Sequence, residues 1–277
     1  MSNLFDQMLA RYEIRTNEDS MNALHEVMQQ IALAGLYRGG FFNKAAFYGG
    51  TCLRVFYQLP RFSEDMDFSL IEPVQDFKLE NYFESILSEF KALGREVVIS
   101  KKVKKTETNI ESAFLKDDTA VYNLQFRTEQ QVKIKIEVDI NPPTGFSTEQ
   151  KLLLLPFSFM TRCYSLPDLF AGKMHAFLYR NWKTRVKGRD WFDFEWYVRN
   201  NVPLNFNHFC QRVYQFETIP MGELAIDKLK QLLKEKISKT NIELVKNDVR
   251  PFIKNSTEME IWSASYFSQL VDLMRFK

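Results

Sequence analysis

The sequence predicts an α+β protein in two lobes, a mixed β-sheet flanked by helices over residues 1–160 and a helical lobe over 161–277. Three observations point to it. Alternating polar and apolar runs fall in the first stretch, and apolar residues at helical spacing take over in the second. The chain of 277 residues is also long enough to bury two cores of ordinary size. No long linker, internal repeat or low-complexity tract intervenes, so the lobes are expected to share a cleft.

Residues 17–37 carry apolar side chains at helical spacing, with Asn17, Asp19 or Ser20 as caps and Gly39-Gly40 as the stop. AAFYGGTCLRVFY then reads as a buried strand, a turn at Gly49-Gly50 and a helix that Thr51 would cap. Residues 65–71 alternate as a strand before Pro73, and 77–93 return to helical spacing up to Gly94. Three β-rich runs follow near 96–103, 120–128 and 131–140, the last stopped by Pro142-Pro143. Helices are predicted over 165–180, 189–198, 223–238 and 257–276.

Composition narrows the class. With 45% hydrophobic and 26% charged residues and 25 Phe, the chain fits a globular protein with well-filled interiors. The longest apolar stretch, 152–160, is broken by Pro156 and is about half the ~20 residues of a membrane span. The first residues lack the basic and apolar regions of an export signal, so the expected location is the cytoplasm, with no membrane partner. Cys52, Cys163 and Cys210, like His25, His175 and His208, are scattered without metal-ligand spacing. The net charge is only +2, yet RNWKTRVKGR places Arg180, Lys183, Arg185, Lys187 and Arg189 together with no acid between them.

The segment GGTCLRVFYQLPRFSEDMDFSL carries the chemistry. Strand residues two apart project to one face about 6.5 Å from each other, so Asp65 and Asp67 can share a metal. Hard oxygen donors of this kind suit Mg²⁺, with Mn²⁺ as the alternative, and an NTP supplies the phosphate oxygens. The strand VKIKIEVDIN offers Glu137, or else Asp139, as a third carboxylate on the face that also bears Lys133 and Lys135. Gly49 and Gly50 let the backbone approach phosphates at a helix start, with Thr51, Arg54, Arg61 and Ser63 as further candidate nucleotide contacts. Farther on, Lys173 and Arg180 fall seven apart on one helical face, and Arg189, Asp190 and Asp193 cluster in GRDWFDF. Either cation group could grip a triphosphate, and an ordinary salt-bridge set is the competing reading.

Taken in order, GGTCLR, RFSEDMDF, KIEVDINPP, the Lys173–Arg180 segment and RDWFDF make the chain resemble the nucleotidyltransferase toxins of the AbiEii/AbiGii and MenT type, within the DNA polymerase β-like nucleotidyltransferase superfamily. The resemblance spans residues 45–197. It implies a nucleotide and metal site at Gly49, Gly50, Thr51, Asp65 and Asp67. It also matches a K-x-x-A-x-x-x-R pattern at Lys173, Ala176 and Arg180, and R-D-x-x-D-L at Arg189, Asp190 and Asp193, with Phe194 for the Leu. The activity implied is transfer of a nucleotide from an NTP, for members onto tRNA 3′ ends, countered by a separately encoded AbiEi-like antitoxin. The expected catalytic set is Asp65, Asp67, Glu137, Lys173, Asp190 and Asp193, with Lys173, Arg180 and Arg189 on the nucleotide. A small-molecule or protein hydroxyl as acceptor, or a non-catalytic partner-binding role, are the rival readings.

Overall fold

The computed structural model describes residues 3–101, 119–126, 133–180, 186–217, 219–220 and 222–277. The predicted strand ends at 102–103, 127–128 and 131–132 lie outside these. The chain divides into two compact units: the first holds 1–58, 63–142 and 148–163, the second 59–62, 143–147 and 164–277.

In the first unit, a short helix α1 (Leu4–Leu9) precedes α2 (Asn17–Arg38), 22 residues long. The cap of α2 is Thr16, one residue before the predicted candidates. Its hydroxyl accepts from the Asp19 amide at 3.1 Å while the Asp19 carboxylate accepts from the Thr16 amide at 3.0 Å, so two orphan donors are satisfied reciprocally. Next come β1 (Ala45–Tyr48), α3 (Gly49–Tyr57) and β2 (Met66–Leu70). Then follow α4 (Phe83–Ala92), β3 (Val97–Lys101), β4 (Thr119–Phe126), β5 (Lys133–Asp139), β6 (Thr148–Leu153) and β7 (Phe159–Tyr164).

The strands form one mixed sheet in the order β3-β4-β5-β2-β1-β7-β6. β2 lies at its centre, antiparallel to β1 and parallel to β5. The edge strand β6 and its neighbour β7 were not predicted. The run KLLLLPFSFM has no period-two alternation, and Pro156, which reads as a breaker, falls in the connection between the two strands. Beneath the sheet, Phe47 of β1 stacks on Phe68 of β2 at 4.9 Å, and Phe41 meets Phe68 edge-on at 5.1 Å. All three rings are fully buried. Helices α2 and α4 pack so closely that a Cβ on Gly35 would lie 2.5 Å from the Ile86 Cα.

The second unit is helical: α5 (Leu166–Tyr179), α6 (Gly188–Arg199), α7 (Phe206–Phe216), α8 (Ile226–Lys239), α9 (Ile242–Val249) and α10 (Ala264–Leu273). The predicted helix over 257–276 is shorter than expected. It begins at Ala264 and stops before Met274, because Arg275–Phe276 pairs in parallel with Pro203–Leu204 as a two-stranded ribbon. Its core stacks Phe170 on Tyr197 at 4.4 Å, with Phe177 and Phe267 against Trp191. Helix α6 has no side-chain cap of its own, and Asp248 of α9 accepts from its first amide, Gly188, at 2.8 Å.

His175 and His208 lie buried in this unit, both with pKa values lowered to about 4, chiefly by burial. Arg212 adds to the effect at both rings, while Glu217 at His175 and Asp168 at His208 oppose it. The folded chain therefore resists a proton that the unfolded chain accepts below the ordinary value of 6.5. Stability from these two rings is complete above pH 6.5 and lost as the pH falls toward 4. Urea unfolding should show its midpoint dropping across this window, and a flat profile there would contradict the buried neutral histidines. The depressed carboxylates of Asp190 and Asp193 act only below 3.8, their ordinary value.

Candidate active site

The first unit brings the glycine turn and the Asp-x-Asp together. β1 pairs with β2 so that Tyr48 lies opposite Asp67, and the chain turns at Gly49 directly into α3. Gly49 has φ +81, and a Cβ there would lie 2.2 Å from the Asp67 carboxylate oxygen. Glycine is thus required for two reasons, the backbone conformation and the acid seated against it. Helix α3 starts at Gly49, with Tyr48 rather than Thr51 at the cap position and no side-chain cap. First-turn amides of a helix have no intrahelical partner and favour anions.

Thr51 lies inside the first turn, buried, and its hydroxyl donates to the Asp65 carbonyl. Gln29 of α2, fully buried, donates to the carbonyls of Ser63 at 2.9 Å and Glu64 at 3.0 Å. Three successive carbonyls entering β2 are therefore clamped by side chains, which fixes the segment just before the strand. Gln29 was invisible as a functional candidate, although a glutamine on an apolar helix face is the signal that would have found it. Arg54 of α3 pairs with the buried Glu26 of α2 at 2.5 Å, tying those helices together.

The parallel β2–β5 register sets Asp67 beside Glu137 and Ser69 beside Asp139. Along β5, Ile134, Ile136 and Val138 are buried, while Lys133, Lys135, Glu137 and Asp139 share the opposite face. Lys135 is ion-paired with Glu137. Burial alone would lower its pKa, but Glu137 first, then Asp65 and Asp67, hold it above the ordinary value. The ammonium therefore senses all three carboxylates. Asp139 accepts from the Asn141 amide at 3.1 Å.

Among the described residues, no three His, Cys, Asp or Glu side chains converge closely enough to enclose a metal ion. Mg²⁺ commonly takes one or two carboxylates and completes its shell with phosphates and water. Asp65 and Asp67, hard oxygen donors in this setting, fit that demand, and Glu137 is turned onto Lys135 beside them.

The second unit holds a buried ionic network. Arg61, 2% exposed, closes its guanidinium fork on Asp193 at 2.5 and 2.6 Å and donates to the Phe62 carbonyl at 2.9 Å. It was expected on a phosphate, and the structure uses it as an internal clamp. Lys173 of α5 lies 2.8 Å from Asp190 and 2.8 Å from Asp193, both on α6. Burial would raise both carboxyls, yet Lys173 at Asp190, and Arg61 with Lys173 at Asp193, hold them below the ordinary range. Arg180 ends α5, exposed. Arg189 stands 4.1 Å over the Phe252 ring. Burial, and then Arg180, lower the Lys187 pKa to about 8, with Lys173 and Arg189 adding to the effect and Asp190 opposing it. Of the cationic run, residues 181–185 lie outside the described ones.

A mixed sheet whose central strand carries Asp67 against a glycine-turned helix start, with Asp65 just before that strand rather than on it as predicted, defines a nucleotidyltransferase fold. Residues 31–269 match the family model "Nucleotidyl transferase AbiEii toxin, Type IV TA system". The chain belongs to that family, the toxin side of a toxin–antitoxin pair, which implies an antitoxin partner and a nucleotide substrate. Comparison with proteins of curated function found no match. Among solved structures, the chain is similar to MenT4, a nucleotidyltransferase toxin of Mycobacterium tuberculosis H37Rv, with TM-score 0.58 and 14% identity over 98% of this chain and 87% of that one. It is also similar to JHP933 of Helicobacter pylori, with TM-score 0.54 and 17% identity over 91% of this chain and 90% of that one. At these identities the likeness concerns the fold. No helix among the described residues is long and apolar enough to cross a membrane.

Two substitutions separate the roles. Asp193→Ala leaves the Arg61 guanidinium buried without its partner and should cost about 3–5 kcal/mol in unfolding free energy. A loss below about 1 kcal/mol in denaturant titration would refute the clamp. Gly49→Ala should cost about 1–2 kcal/mol for its backbone conformation alone, and it should abolish nucleotide transfer even where the protein stays folded, because Asp67 is displaced.

Proposed function

We propose that this chain transfers a nucleotide from an NTP to an RNA acceptor, the tRNA 3′ end being the candidate that the family resemblance supplies, and so acts as the toxin of its pair. The observation that carries the reading is the Asp67 carboxylate held against Gly49, with Glu137 next to it across β2 and β5. Asp65 and Asp67 would hold Mg²⁺ or Mn²⁺. That ion, when bound, supplies charge neutralisation at the phosphates and makes an acceptor hydroxyl easier to deprotonate.

The chain's own residues do the rest. The first-turn amides of α3 donate to phosphate oxygens, and the glycine turn lets the phosphate approach the backbone. The clamp of Gln29 and Thr51 on residues 63–65 keeps the acids from drifting, which matters because positioning supplies much of the catalysis in this chemistry. In the second unit, Arg180, Lys187 and Arg189 give the helical part a cationic surface suited to polyphosphate and RNA, with Lys173 oriented by Asp190 and Asp193.

The test incubates the purified protein with each labelled NTP, Mg²⁺ and total RNA, and asks which species gains label. Asp67→Asn removes several kcal/mol of charge stabilisation, so incorporation should fall at least ~100-fold while the melting curve is retained. Undiminished labelling by Asp67→Asn, or label found only on small molecules, would overturn the proposal.

A further inference from the structure

Lys135 is the residue on the acidic face to which neither the family's motifs nor the proposed reaction gives a role. β5 runs parallel to β2 with Met66 opposite Ile136 and Asp67 opposite Glu137, and Lys135 lies two residues before Glu137 on the same face, while Asp65 immediately precedes β2. Its ammonium is ion-paired with Glu137, and both side chains are partly exposed, 36% for Lys135 and 28% for Glu137. A lysine here is not needed to fill the core, because Ile134 and Ile136 on either side face inward and complete it. It stands instead beside Glu137, whose neighbour across the strands is Asp67, and there it offsets negative charge on that face.

We propose that Lys135 is the resident cation of the carboxylate cluster, which yields Glu137 to an incoming divalent ion and then contacts the phosphates of the nucleotide that arrives with it. The inference rests on the nucleotidyltransferase reading of the same site. A divalent ion approaching Asp65 and Asp67 meets the ammonium paired with the neighbouring Glu137, and like charges brought close weaken binding. The four-carbon stem of lysine is flexible and its ammonium has three rotatable donors, so moving from a carboxylate to a phosphate oxygen needs no backbone change. The partial exposure of the pair leaves room for that swing. Lys135 thus disfavours the metal alone and favours the metal–nucleotide pair, which makes the two ligands bind together rather than separately.

The two effects have opposite signs, and this distinguishes the role from a purely structural one. Calorimetric titration should show Lys135→Met binding free Mn²⁺ about tenfold tighter than the unsubstituted protein. In saturating Mn²⁺ the same variant should bind a non-hydrolysable NTP analogue about tenfold more weakly. Lys135→Arg keeps the charge and should stay near the unsubstituted protein in the first titration. If Lys135→Met fails its melting check, Lys135→Gln gives the same comparison with a polar end on the side chain. Affinities that shift in the same direction, or that do not shift, overturn the role of Lys135 while leaving the nucleotidyltransferase reading intact. Absence of Mn²⁺ and nucleotide binding by the unsubstituted protein overturns both.

Discussion

The Asp67 carboxylate occupies the space that any side chain at position 49 would need, and the rest of the first unit is arranged around that coincidence. The strand carrying Asp67 cannot slide. Its neighbour Phe68 is buried between Phe47 and Phe41, and a one-residue slip would exchange the faces, driving the acid into the aromatic core and the ring into solvent. The core stack is therefore what sets the height of the carboxylate against the turn. The helix that starts at the turn adds a favourable field, since its N-terminal dipole stabilises negative charge beside it.

Charge is handled differently in the second unit. Arg61, Lys173, Asp190 and Asp193 are two cations and two anions that satisfy one another in the interior. Desolvating four ions is costly, and such a network is retained only where each member finds partners of good geometry. Arg61 and Lys173 consequently have little attraction left for an outside anion. Arg180 and Lys187 lie outside that network, and the lowered pKa of Lys187, about 8, reflects burial first and then Arg180 crowding it. An arriving polyphosphate would relieve that repulsion, so the cations with most to gain from a ligand are those outside the internal network.

Much of this was legible because it is local. Asp67 sits on an alternating strand, with Asp65 one residue before its start, and Gly49-Gly50 precedes a run with helical spacing, so both motifs announce their geometry within about ten residues. The strands β2 to β5 and the helices α2, α5 and α6 follow from the same periodicities. Long-range partnerships were not legible. Arg61 meets Asp193 across 132 positions, and beside RFSE a basic residue reads as phosphate-binding until that partner is seen. Gln29 reaches Ser63 across 34 positions. β6 and β7 were hidden because the apolar run they share carries no period and Pro156 breaks it, and the helices α1, α7 and α9 went unpredicted.

Register also distinguishes two acids that alternation leaves equivalent on β5. Glu137 and Asp139 are two apart and face the same way. The parallel pairing with β2 sets Glu137 level with Asp67 and Asp139 level with Ser69, one repeat farther along the strand. On the same face Lys135 answers Glu137, so charge alternates along β5 rather than forming a block of acids. A divalent ion arriving with a triphosphate would compete with that lysine for the same oxygens, and a divalent charge with phosphate ligands is the stronger competitor.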